Sequence, residues 1–141
     1  MNSLTVLLLC AGVIAAVNGA VLNQDLAQYK QFSQECVSST NTDPKEIAKV
    51  YQDGPIKNEV LGAYLLCMNN KYNIHNANGD VDQENLRKIL HVFSPSEDKT
   101  DIVVANCSVK KEGATPQEVA VELAKCTRKY VPIKAPKANA V

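Results

Sequence analysis

An all-α fold is predicted for this chain of 141 residues, and three observations predict it. Apolar residues recur at steps of three and four in segment after segment, which lays stripes along helices. A motif of cap, proline and acid that opens helices occurs three times. No window of four or more residues alternates as a half-buried strand would. The helices are organised around one stretch, Leu61 to Tyr72, so apolar over its circumference that the rest of the chain must cover it.

The N-terminus stands apart. Residues 1–19 are uncharged, apolar from Leu4 to Ala16, and end in small residues, which reads as a secretory signal peptide. A cut after Gly19 places Val17 and Gly19 at the small-residue positions; a cut after Ala20 fits less well because of Asn18. The apolar run is short of the roughly 18 residues expected of a membrane span. The expected mature chain, 20–141, is one domain, able to bury about two-thirds of its unfolded surface.

In that chain Leu22, Leu26, Tyr29, Phe32 and Cys36 step by three and four along a first helix, which the Ser38-Ser39-Thr40-Asn41 cluster ends. Asp43-Pro44-Lys45-Glu46 opens a short second helix that stops at Asp53-Gly54-Pro55. The central helix spans about Ile56 to Tyr72, with Val60, Tyr64, Cys67, Met68 and Tyr72 on a stripe widened by Leu61, Leu65 and Leu66. A fourth starts near Asp82 and turns Leu86, Ile89, Leu90 and Phe93 inward. Ser94-Pro95-Ser96-Glu97 opens a fifth, expected to run through Val103, Val104 and Cys107 to Gly113. Thr115-Pro116-Gln117-Glu118 opens a sixth, with Val119, Ala120, Leu123, Cys126 and Tyr130 on one side. The closing segment 131–141 is expected to be a flexible tail; folding back through Val131 and Ile133 is the alternative.

Five cysteines are present, and loss of the leader removes Cys10. Cys36, Cys67, Cys107 and Cys126 remain, an even count that in an exported chain implies two disulfides and leaves three connectivities open. Bridges between helices can hold them apart around a cavity that packing alone would collapse. The chain carries 15 basic and 15 acidic groups and no net charge, which disfavours nucleic acid and anionic membranes as partners.

Nothing in the sequence arranges a nucleophile with its base. His75 and His91 are the two histidines, and His91 lies roughly 100 degrees off the apolar face of its helix, a solvated position. The stretch Asn76 to Asp82 resembles a calcium loop, yet with Gly79 in sixth place Ile74 falls where the first Asp belongs and Asn85 where the bidentate Glu belongs. A turn with Gly79 at positive φ, and Asp80 or Asp82 capping the fourth helix, is the reading adopted. Catalytic residues, metal and cofactor are therefore expected to be absent. Asn106-Cys107-Ser108 is formally a glycosylation sequon, crowded by its middle cysteine.

Thirty residues separate Cys36 from Cys67, thirty-nine separate Cys67 from Cys107, and eighteen separate Cys107 from Cys126. With a leader and six helices, this pattern resembles the insect odorant-binding protein family over about Leu22 to Tyr130. That family usually has two further cysteines, at the positions held here by Ala63 and Gln117; their joint absence resembles its four-cysteine, or Minus-C, branch. The resemblance implies bridges Cys36–Cys67 and Cys107–Cys126, and six short helices around an internal apolar pocket. It implies a secreted carrier of small hydrophobic molecules (odorant, pheromone or lipid-like) that is not an enzyme, and it admits a chemosensory receptor as partner. Expected pocket residues are Leu65, Met68, Leu86, Leu90, Phe93, Val103, Val104 and Leu123. The competing reading is a secreted helical structural or interaction protein, as in haemolymph or reproductive-gland secretion, with a solid core and no small-molecule ligand.

Overall fold

The computed structural model describes residues 25–52, 54–93 and 96–131. The leader expected at 1–19 lies outside these residues, as does all of the expected tail except Val131. Among the described residues the chain is helical, with one isolated bridge, His75 to Val81, and no strand. It divides into two compact units after Gln31. The described part of the first, residues 25–31, is helical; the second opens with a helix over residues 32–40 (α1). Then follow α2 (Pro44–Ala48), a 3₁₀ turn (Lys49–Tyr51), α3 (Asn58–Lys71), α4 (Gln83–Phe93), α5 (Glu97–Cys107) and α6 (Pro116–Tyr130).

The starts of these helices follow from local hydrogen bonding. A helix begins with amide groups that lack an intrahelical acceptor, and an oxygen-bearing side chain just before it supplies one. Asp43 does so for α2, accepting from Lys45 N–H at 2.8 Å, and Asp82 does so for α4, accepting from Asn85 N–H at 2.9 Å. At α6 the exchange is reciprocal: Thr115 Oγ1 accepts from Glu118 N–H at 3.2 Å, while Glu118 Oε2 accepts from Thr115 N–H at 2.8 Å.

The fifth helix departs from expectation at both ends. Its cap is Ser96 rather than Ser94, with Ser96 Oγ accepting from Lys99 N–H. Two cap phrases overlap in Ser94-Pro95-Ser96-Glu97-Asp98, and the later one places both acids in the first turn, where they meet the positive end of the helix dipole. The helix stops at Cys107 instead of Gly113. One turn beyond Cys107 the inward positions would fall on Lys110 and Lys111, so the stripe has nothing apolar left to bury, and Gly113 instead takes φ +76° in the connecting loop.

Packing joins these elements in the second unit. The most extensive contact between described helices is α3 on α6, followed by α5 on α6 and α4 on α5. Leu61, Tyr64, Leu65 and Met68 of α3 are buried, as the apolar girth of that helix requires. Gly62 permits close approach: a Cβ there would stand 2.2 Å from Asn58 Oδ1 and 3.4 Å from Gln117 Cβ of α6. Phe32 of α1 meets Tyr72 edge to face at 5.2 Å, and Lys71 pairs with Glu35 while lying over the Phe32 ring. Arg128 of α6 donates to the Gln52 carbonyl at 2.5 Å and so ties that helix to the segment after the 3₁₀ turn.

Candidate ligand-binding site

The inward stripes of α4, α5 and α6 converge on one buried cluster. Leu86 and Leu90 reach it from α4, Val103, Val104 and Cys107 from α5, and Leu123 from α6; Ile74 and Val131, from outside these helices, complete it. The spacings are those of single helical faces, four apart on α4, and three and four apart on α5. Five of the eight expected pocket residues are thus brought together: Leu86, Leu90, Val103, Val104 and Leu123. Leu65 and Met68 are buried on α3 but belong to another part of the interior. Phe93, at the C-terminal end of α4, is 37 % exposed. Sequence reasoning did not select Ile74, which flanks a helix where periodicity does not speak, and it named Val131 only in the alternative that the closing segment folds back; Val131 is buried in the cluster.

Two disulfides frame the interior, Cys36–Cys67 joining α1 to α3 and Cys107–Cys126 joining α5 to α6, with Cα–Cα separations of 5.7 and 5.6 Å. These are the two pairings the resemblance implied. The second bridge is part of the cluster wall, since Cys107 is buried within it and Cys126 packs against it. The two positions where further cysteines would stand, Ala63 on α3 and Gln117 on α6, line one shallow groove of about 400 Å³ together with Leu66 and Cys67. The α3–α6 seam is therefore open there and unlinked.

Polar groups in the interior are few. The Thr100 side chain, on α5 one turn before Val103 and Val104, is wholly inaccessible, and its hydroxyl has no hydrogen-bond partner. His75, beside Ile74, accepts at Nε2 a hydrogen bond from the Asn69 side-chain amide at 3.2 Å, while its buried Nδ1 has none. Burial lowers the His75 pKa, since removal from water disfavours the charged ring. His91 is exposed on α4. On α3, the Tyr64 hydroxyl meets Ser33 at 2.9 Å, and burial raises the phenol pKa.

The loop that resembled a calcium site is a turn closed on itself. Asn76 Oδ1 accepts from the N–H groups of Asn78 and Asp80 at 2.9 and 3.0 Å, and Gly79 sits at φ +76°. Its carboxylates are engaged elsewhere, Asp82 at the α4 cap and Asp80 opposite Lys110. Among the described residues no group of three His, Cys, Asp or Glu side chains could hold a metal ion. Among them also, no helix is long and apolar enough to cross a membrane. Asn106 of the sequon is exposed at the end of α5, where its amide donates to the Ile102 carbonyl at 2.8 Å.

Helices whose amphipathic faces meet in an apolar interior, stapled by two bridges, define a class of small disulfide-linked all-α domains. The sequence profile described as the PBP/GOBP family matches residues 19–130, and the chain belongs to that family. Its structure is similar to that of an odorant-binding protein from Drosophila melanogaster, with a TM-score of 0.65 and 14 % identity over 77 % of this chain and 93 % of that one. At that identity the likeness speaks for the fold. No curated protein sequence matches the chain.

Proposed function

We propose that this protein is a secreted carrier that reversibly takes up small hydrophobic molecules between α3, α4, α5 and α6. The observation that carries the reading is the convergence of Leu86, Leu90, Val103, Val104 and Leu123 on one apolar interior walled by a disulfide, in a chain of the PBP/GOBP family. Leu65 and Met68 offer buried apolar surface on α3 outside this cluster, and Phe93 is exposed at the C-terminal end of α4. Residues 1–19 act as the leader that sends the chain to an oxidising compartment, where both bridges form. The joint absence of cysteine at positions 63 and 117 supports placement in the four-cysteine branch.

The chemistry is transfer out of water. With roughly 25 cal/mol per Å² of apolar surface removed from solvent, a ligand burying about 250 Å² has about 6 kcal/mol available, which after the costs of association corresponds to micromolar binding. No covalent step is involved. The test is displacement of an apolar fluorescent probe, N-phenyl-1-naphthylamine, from the oxidised protein by long-chain alcohols, esters and fatty acids. Saturable probe binding reversed by these compounds is the expected result. A folded, fully oxidised protein that takes up no probe has a solid core, and the carrier reading fails.

A further inference from the structure

The Asn106-Cys107-Ser108 sequon has no part in the uptake of a ligand, and in the structure its middle cysteine does not crowd the asparagine. Successive residues on a helix point about 100 degrees apart, which here separates core from solvent. Cys107 is buried and bridged to Cys126, whereas Asn106 is exposed. Ile102, four residues before on the same face, is 43 % exposed, and Val109, three residues after, is 79 % exposed, so this end of α5 stands open to solvent. Asn106 and Val109 also border a cleft of about 740 Å³ beside the α5–α6 connection. A bulky surface group has room there.

The hydrogen bonds fit such a group. Asn106 Nδ2 donates one hydrogen to the Ile102 carbonyl at 2.8 Å, and a primary amide carries two. A sugar replaces one and leaves the other for that bond. Ser108 gives a second, independent indication: its hydroxyl oxygen is buried without a hydrogen-bond partner, which disfavours the folded state. Alanine would suit the fold better at this position, but only a hydroxyl completes the sequon.

Geometry also sets the order of events. Residues two apart on a helix do not face each other, so the Ser108 hydroxyl cannot assist the Asn106 amide once α5 has formed. Modification therefore precedes folding. Cys126 follows Cys107 by 19 residues, so the native bridging partner has yet to enter the compartment when the sequon arrives.

Resting on the secretion part of the reading above, we infer that Asn106 carries an N-linked glycan. In the transfer, Asn106 Nδ2 attacks the anomeric carbon of an oligosaccharide held on a polyisoprenyl diphosphate. The C–N bond forms, the C–O bond to the diphosphate breaks with its electron pair staying on the diphosphate, and one amide proton passes to the transferase. Folding then turns Cys107 inward to its bridge and the glycan outward beside the cleft.

The test expresses the full chain with its own leader in cultured insect cells and treats protein from the medium with peptide-N-glycosidase A in heavy-oxygen water. The enzyme converts a glycosylated asparagine to aspartate bearing the heavy oxygen, which peptide mass mapping reads. Most secreted molecules should show the label at Asn106, with both native bridges present. Asn106→Gln and Ser108→Ala should each abolish the label, and Ser108→Thr should keep it. Ser108→Ala should melt no lower than the deglycosylated wild type, since it removes a hydroxyl without a partner, so its loss of label is not a loss of fold. An unlabelled Asn106 in most of the secreted wild type overturns the inference and leaves secretion standing. A wild type found only in the cytosol fails the secretion reading, and this inference falls with it.

Discussion

Helix α6 is held on two sides by different means. Against α5 it is tied by Cys107–Cys126 across a short connection, with a capping box fixing its first turn. Against α3 it has its broadest contact and no covalent link; Gly62 lets the backbones approach, and Ala63 and Gln117 face a shallow groove. Extent of contact and resistance to opening are therefore separate properties of this interior. The α5–α6 corner is local in sequence and constrained even when the chain unfolds, whereas the α3–α6 seam joins distant residues and persists only while the side chains fit.

The largest effect should come from breaking the tied side. Replacing Cys107 and Cys126 together by alanine frees the connection, separated by 19 residues, and should cost about 3 kcal/mol in the chain-entropy view of a loop of that size. Urea unfolding of the reduced-cysteine variant beside the wild type measures it; a loss under about 1 kcal/mol would mean that the bridge adds little to what packing already secures.

Overfilling the untied side should come next. Gly62→Leu would push a side chain into the Asn58 amide and toward Gln117, costing about 1 to 3 kcal/mol. Mass mapping of the unreduced variant should still find both native bridges, because the strain falls on the seam and spares the corner. Scrambled bridges would show that the two sides of α6 are not independent.

Linking the seam covalently should make the two sides alike. Ala63→Cys with Gln117→Cys is expected to form a third bridge and to stabilise by about 1 to 3 kcal/mol, less than loop length alone suggests because two links already restrict the unfolded chain. Stopped-flow release of the bound probe should slow, while equilibrium affinity changes less. Two titratable thiols that survive mild oxidation would exclude a bridge across the groove and remove the seam as a route for ligand exchange.

Acid should act on the α3 side through His75. Burial lowers its pKa in the folded chain, so the neutral ring is the form that folding favours. The sign follows: this contribution is complete above the ordinary histidine value of about 6.5 and is lost as pH falls from there through the lowered folded value. The wild type should lose more stability between pH 7.5 and 5.0 than His75→Gln, with urea midpoints as the measure; equal losses in the two proteins would assign the acid response to other groups.

The parts of the fold that were legible beforehand are those decided within a turn or two of helix. Asp43, Asp82 and Thr115 act as caps because a side-chain oxygen two or three residues before a free amide needs only local geometry to reach it. The stripes Leu86–Leu90 and Val103–Val104 were readable for the same reason, since helical spacing alone sets which residues share a face. Where two local signals competed, as at Ser94 and Ser96, the sequence contained both answers. The structure takes the later cap, Ser96, with Glu97 and Asp98 both in the first turn.

Sequence by itself determined the all-α class, the caps at which three of the helices begin, and the residues available for bridging, because each depends on interactions of short range along the chain. Only the tertiary structure decided that Leu65 and Met68 bury away from the α4–α6 cluster, that Phe93 is left at the surface, that Ile74 and Val131 join that cluster, and that the Thr100 hydroxyl is enclosed without a partner. Those outcomes depend on which helix lies opposite which, and that is set by the joint fit of side chains far apart in sequence, a property no periodicity or cap can report.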